Sequence, residues 1–137
     1  MKIEKAVLYT DGASRGNPGP AAIGAVIKDG QGRVLARISK RIGRTTNNQA
    51  EYRAVIAALE EAVRLGAAGV EIKSDSELVV RQINGRYRVK NPGLKPLYRQ
   101  VKELQSSFQN CTIASIPRRQ NMEADGLCNA ALDAAVD

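Results

Sequence analysis

The apolar pattern of this chain first changes period at Thr46, and that change limits the architectures open to it. Ahead of Thr46 the pattern is that of strands. Residues 3–10 run into Val7-Leu8-Tyr9, and residues 22–28 and 34–42 form two further strand-like runs. Asp29-Gly30-Gln31-Gly32 joins the latter two, and its glycines suit a tight hairpin turn. A Gly/Pro-rich loop, Gly12 to Pro20, separates the first run from the second. The chain therefore opens as an antiparallel meander of three strands. From Thr46 onward the pattern is helical and strand-like by turns. Thr46-Asn47-Asn48-Gln49 makes a capping box, behind which Ala54, Val55, Ala58, Leu59, Ala62 and Leu65 recur at 3–4 spacing until Gly66 closes the helix. Val70 to Lys73 is a short strand, and Ser74-x-x-Glu77 caps a helix carrying Leu78, Val79 and Ile83 that stops at Asn84-Gly85. Pro96 fits a first helical turn ahead of the stripe Leu97, Val101, Leu104 and Phe108. Thr112 to Ile116 is a fifth strand ended by Pro117, and Asn121 caps a last helix running through Ala124, Leu127, Leu132 and Ala135. The order β-β-β-α-β-α-α-β-α predicts an α/β fold: a mixed five-stranded sheet, three antiparallel strands then two parallel, with helices on both faces.

Composition narrows the function. At 137 residues the chain fits a single domain, 1–137, and its 43% hydrophobic content excludes a disordered one. The longest mostly apolar stretch, Ala21 to Ile27, is too short to span a membrane, and an acid at Glu4 breaks any secretory leader. A cytoplasmic protein is expected. There is no histidine, which removes Ser/His, Cys/His and His-ligated zinc mechanisms together. Without tryptophan the chain is a poor base-stacking platform, and Tyr52, Tyr87 and Tyr98 read as packing residues. Cys111 and Cys128 share no metal-type spacing and read as reduced, buried thiols. The net charge of +7 favours a polyanion as partner. Arg81 to Lys102 concentrates it, with seven basic residues and no acid, although such a run also serves simply as a solubilising surface.

Against this basic background four acids interrupt good patterns. Asp11 ends the first strand, Asp75 ends the fourth, Glu51 lies in the first turns of the first helix, and Asp125 near the start of the last. If strands 1 and 4 are parallel neighbours, Asp11 and Asp75 emerge at one edge, where open α/β sheets place their ligands. Each acid alone has a plain structural reading: a turn former at Asp11, an exposed helical acid at Glu51, a helix cap at Asp75, an anion suited to a helix N-terminus at Asp125. Together they need a cation, because crowded carboxylates raise one another's pKa. Oxygen-only ligation selects Mg²⁺ or Mn²⁺, and two such ions about 3.5–4 Å apart serve phosphodiester displacement.

Tyr9-Thr10-Asp11-Gly12-Ala13 with Asn17-Pro18-Gly19, Thr46-Asn47-Asn48-Gln49-Ala50-Glu51, Ser74-Asp75-Ser76 and Asn121-Met122-Glu123-Ala124-Asp125 resemble, in order and spacing, type 1 ribonuclease H. The resemblance implies the ribonuclease H-like fold and an endonuclease that hydrolyses the RNA strand of RNA/DNA hybrids, leaving 5′-phosphate and 3′-hydroxyl ends. Asp11, Glu51, Asp75 and Asp125 fall on the family's metal-binding acids, which take two ions with substrate bound. Gly12, Asn17, Asn47 and Asn48 would meet the RNA minor groove and its 2′-hydroxyls, while Arg44, Thr46 and Asn91 would grip a phosphate of the DNA strand. A monomer whose partner is the hybrid duplex, with no protein partner, is implied. Two departures stand out. The loop before the last acid lacks the histidine of many members, and Arg118 or Arg119 occupies its region; a guanidinium cannot act as a base. No extra helix with a basic protrusion fits between Asp75 and Pro96, so grip would rest on Arg86, Arg88, Lys90 and Lys95. Two other readings use the same fold: a non-catalytic nucleic-acid-binding domain, which has no need of four buried acids, and another metal-dependent nuclease, such as one for structured DNA. The asparagines beside Asp11 and Glu51 favour RNA in the duplex.

Overall fold

A computed structural model describes residues 3–134. Its elements are β1 (Ile3–Ser14), β2 (Gly19–Asp29), β3 (Val34–Thr45), α1 (Asn47–Arg64), β4 (Ala67–Ser74), α2 (Glu77–Ile83), α3 (Lys95–Gln105), β5 (Asn110–Ser115) and α4 (Met122–Asp133), with a 3₁₀ turn at Arg118–Gln120. The strands lie in the order β3-β2-β1-β4-β5. β1 and β3 flank β2 antiparallel, and β4 runs parallel to both β1 and β5. Element order and sheet type match the sequence expectation.

Alternation along β1 divides the core. Ala6 and Leu8 point to one face, where they join Ala25, Ile27 and Ile72 under Tyr52, Val55 and Leu59 of α1. Ala13 points to the other face and packs with Ala22 beneath Cys128, Ala131 and Leu132 of α4. Helices therefore cover both faces. The capping box forms as read: Thr46 Oγ1 accepts from the Gln49 amide while the Gln49 side chain returns to the Thr46 backbone. None of the described helices is long and apolar enough to cross a membrane.

Several local expectations are corrected. β1 does not stop at Thr10, because its ladder with β2 continues through Asp11↔Gly24 to Ser14↔Ala21. Asp11 is thus inside a strand, and the Gly/Pro-rich loop shrinks to residues 15–18. Ser76, not Ser74, caps α2 by accepting from the Val79 amide; Ser74 closes β4 and its Oγ accepts from the Ser76 amide. Asn121 stands at the start of α4 but makes no capping bond. Phe108 lies beyond the end of α3, and Ala135 lies outside the described residues. Tyr52 is fully buried, but Tyr87 is 47% exposed, its ring under the Arg81 guanidinium at 5.3 Å. Both cysteines are free; Cys128 is buried as expected, Cys111 only half-buried.

Candidate active site

The parallel ladder between β1 and β4 ends at Thr10↔Ser74. The next residue on each strand is an acid. Asp11 continues along β1 where β4 has left the sheet, and Asp75 enters the turn into α2, so both carboxylates sit at the notch between the strands.

Two glycines bring the other two acids there. A Cβ on Gly12 would stand 2.2 Å from the Ala50 carbonyl oxygen and 2.6 Å from the Glu51 nitrogen. Only glycine lets α1 lie this close to β1, and the contact places Glu51 next to Asp11. Gly24, the ladder partner of Asp11, does the same on the other face: a Cβ there would meet the Ala124 oxygen at 2.2 Å and the Cys128 nitrogen at 2.5 Å. Asp125 follows Ala124 on α4 and arrives at the same place. Asp11, Glu51, Asp75 and Asp125 line one cleft of about 250 Å³ with Gly12, Ala13, Asn47 and Arg118. Size alone does not single it out, since a hollow of about 670 Å³ lies among Ile3, Asp29 and Leu35. There, however, Asp29 is already paired with Arg33 at 2.7 Å.

The acids feel one another. Burial, then the charge of Asp75, a hydrogen bond to Asp125 and the charges of Asp125 and Glu51 push the Asp11 carboxyl up to about 8. Burial raises Glu51 to about 7; a Ser76 hydroxyl bond opposes the shift and Asp75 adds to it. Burial, reinforced by Asp11 and Asp125, pushes the Cys128 thiol up to about 12. Among the described residues no three acid or cysteine side chains are already arranged to hold a metal ion. The basic side chain in the lining is Arg118, 78% exposed, with Nη2 3.7 Å from Asp125 Oδ1. Arg119 lines a separate hollow with Tyr9, Lys28 and Asn121.

A family model described as reverse transcriptase-like matches residues 9–131. Ribonuclease HI of Halobacterium salinarum is 47% identical over 127 residues, covering 93% of this chain and 64% of that protein. The crystal structure of RNase H1 from that organism is 46% identical with a TM-score of 0.94, over 96% of this chain and 99% of that one. The chain belongs to the type 1 ribonuclease H family. Bifunctional protein Rv2228c of Mycobacterium tuberculosis is 49% identical over 96% of this chain, which spans only 36% of that protein. The crystal structure of LC11-RNase H1 in complex with an RNA/DNA hybrid is 44% identical, TM-score 0.91, over 96% of this chain and 99% of that one.

In this ribonuclease H chain two sets of polar residues are tied to the start of α1, the helix that carries Glu51. On one side Asn17 Oδ1 accepts from the Asn47 amide at 3.0 Å, and Asn47 Oδ1 accepts from the Ser14 amide at 3.3 Å. These bonds fasten the loop after β1 to the start of α1, beside Gly12, and occupy the two side-chain oxygens; Asn48 is half-buried one position on. On the other side Gln49 Nε2 donates to the Gly93 carbonyl at 3.3 Å, and Asn91 Oδ1 accepts from the Gly93 amide at 2.7 Å. The Asn91 turn is thereby held against the start of α1, where Thr46 caps the helix and Arg44, the residue before the last of β3, is exposed. The sequence marked Gln49 only as a capping partner; its second role depends on a loop 44 residues away. Between α2 and α3 the described chain contains no further helix; Arg86, Arg88 and Lys90 are exposed there, and Lys95 is exposed at the start of α3.

Proposed function

We propose that this chain hydrolyses the RNA strand of RNA/DNA hybrids, leaving 5′-phosphate and 3′-hydroxyl ends, with two divalent cations held by Asp11, Glu51, Asp75 and Asp125. The observation that carries the reading is the meeting of four acids, from β1, α1, α4 and the turn after β4, in one cleft of a chain with net charge +7. The residues fit the ions. The donors are all carboxylate oxygens, which suits Mg²⁺, with Mn²⁺ as substitute. The raised Asp11 and Glu51 carboxyls are what a cation-binding cluster looks like without its cations. What the ions supply when bound is activation of a water and neutralisation of charge on the leaving oxygen.

The chain's own groups supply recognition. The Gly12 backbone and the amides of Asn17, Asn47 and Asn48 border the acids on the side assigned to the RNA strand. Short donors there suit 2′-hydroxyls, the feature that separates RNA from DNA. Arg44, Thr46 and Asn91, gathered about the start of α1, suit a phosphate of the DNA strand, and neither group reads bases. The exposed cations from Arg86 to Lys95 add affinity that falls with salt. A monomer working in the cytoplasm agrees with the two unbridged thiols.

Arg118, rather than Arg119, borders the acids, and its permanent charge suits steadying a phosphate or easing product release. Arg118→Ala should lower turnover about tenfold or more while hybrid affinity changes little. Steady-state cleavage beside filter binding checks this; unchanged turnover would take Arg118 out of the reaction.

The reading as a whole is tested by one digest of RNA/DNA, RNA/RNA and DNA/DNA duplexes with Mg²⁺, with Mn²⁺ and with EDTA. Cleavage of the RNA in the hybrid, sparing of double-stranded DNA and silence in EDTA are expected. Cleavage that survives EDTA would overturn the metal mechanism, and cleavage confined to double-stranded DNA would overturn the substrate.

A further inference from the structure

The four acids reach the cleft on different supports. Asp11 is fixed by its ladder with β2, and Asp75 directly follows the last pair of the β1–β4 ladder. Asp125 is carried by α4, a separate helix whose position must be set by contacts of its own. Its ion pairs Lys28–Glu123 and Arg15–Asp133, and the longer Arg118–Asp125 pair at 3.7 Å, are too open to water to set it, since such pairs are worth about 0–1 kcal/mol.

Its buried contacts include the Cys128 thiol donating to the Ala22 carbonyl at 3.3 Å and the packing of Ala131 and Leu132 against Ala22, and two further ones fall on the neighbours of Asp11. Asn121, 1% exposed, donates from Nδ2 to the carbonyl of Thr10 at 2.9 Å, one residue before Asp11. Its backbone carbonyl in turn accepts from the Asp125 amide at 3.0 Å, so a single residue joins the strand of one acid to the helix of the other. Gly24 lies across the ladder from Asp11 and takes the α4 backbone in direct contact at Ala124 and Cys128. A helix cap would have used the Asn121 side chain within α4; here it leaves the cap unmade and spans to β1 instead.

We infer that Asn121 and Gly24 are positioning residues which together set the spacing of Asp125 from Asp11, and through it the affinity of the cleft for divalent cations. This rests on the function proposed above. Asn121 fixes α4 along the strand, and Gly24 fixes its height over the sheet. An added methyl at Gly24 must lift backbone, since both of its nearest contacts are main-chain atoms. Gly126 provides the control. It is on the same helix beside Asp125, yet a Cβ there meets nothing within 4 Å.

The experiment is calorimetric titration of Mg²⁺ and of Mn²⁺ into the full chain and into Gly24→Ala, Asn121→Ala and Gly126→Ala, with kcat and KM on a hybrid measured in parallel. Gly24→Ala and Asn121→Ala should each bind cation about tenfold more weakly, the usual effect of losing a group that orients a ligand. The cation needed for half-maximal rate should rise with it, while KM for the hybrid stays within about twofold because the asparagine and arginine groups are untouched. Gly126→Ala should bind cation as the parent does. If Gly24→Ala does not fold, Asn121→Ala, which leaves every backbone contact in place, decides alone. Folded variants that bind cation within twofold of the parent overturn the inference and leave the proposed function standing. A parent chain that binds no divalent cation overturns both.

Discussion

Replacing Asp11 by Asn should reduce hybrid cleavage by about a thousandfold or more, with hybrid binding kept within a few-fold. Asp11 is the one acid whose surroundings name all three of the others: the charges of Asp75, Asp125 and Glu51 and a hydrogen bond to Asp125 act on it together. Asn keeps the size and can donate to Asp125 as the protonated carboxyl does, so the cleft need not rearrange. It removes the charge that a cation would bridge. Asp75→Asn, at the matching position on the parallel strand, should behave alike. Binding survives because the phosphate contacts lie outside the acids, on Arg44, Thr46, Asn91 and the exposed cations between Arg86 and Lys95. Single-turnover cleavage and filter binding on the same preparations check both halves. A variant that loses cleavage and binding together is unfolded or mispositioned, and its circular dichroism would show it. A variant that still cleaves within tenfold of the parent contradicts the role given to Asp11.

The second large effect concerns stability without metal. An aspartate of ordinary pKa 3.8 is held at about 8 in the folded cleft. Between those values the folded chain keeps a proton that the unfolded chain has released, so stability falls as pH rises from about 4 to about 8. Glu51, raised from 4.5 to about 7, acts in the same direction over a narrower window. The acids are therefore a liability to the metal-free fold near neutral pH, and the sign is opposite to that of an ordinary salt-bridged carboxylate. With the cleft open to water, screening reduces the effect of Asp11 to about 2–3 kcal/mol at pH 8. In EDTA at that pH, Asp11→Asn should melt about 5–10 °C higher than the parent, and at pH 4 the two should nearly coincide. Mn²⁺ or Mg²⁺ at about a hundred times its dissociation constant should restore about 2.7 kcal/mol to the parent and much less to the variant. Melting curves over this pH range, with and without metal, measure all of it. A parent more stable than Asp11→Asn in EDTA at pH 8 would contradict the crowding of the acids.

Much of the fold can be read without coordinates because it depends on local chemistry. The period change at Thr46, the capping box to Gln49 and the glycine after Leu65 are all recorded within a few residues. The convergence of Asp11 and Asp75 is legible once β1 and β4 are taken as parallel neighbours, because both acids directly follow the last pair of that ladder, even though β1 itself runs on. What escapes is whatever depends on a distant partner. β1 runs on to Ser14 because β2 offers a ladder there, which no pattern in residues 11–14 announces. Asn121 looks like a helix cap, and its true acceptor, the Thr10 carbonyl, lies 111 residues away. Gly24 sits in an apolar run with nothing to mark it off, and its purpose becomes visible only when α4 is laid against it. Tyr87 has the composition of a packing residue, yet the segment after α2 carries it to the surface. Ser74 and Ser76 both satisfy a capping pattern, and the end of the β4 ladder chooses between them.

The most direct measurement is a Mn²⁺ titration of the intact chain followed by electron paramagnetic resonance, with Asp11→Asn beside it. Saturable binding by the parent that is lost on removing this one carboxylate is the result expected. Equal binding by both chains, or none by the parent, would mean that the four acids do not serve as a cation site.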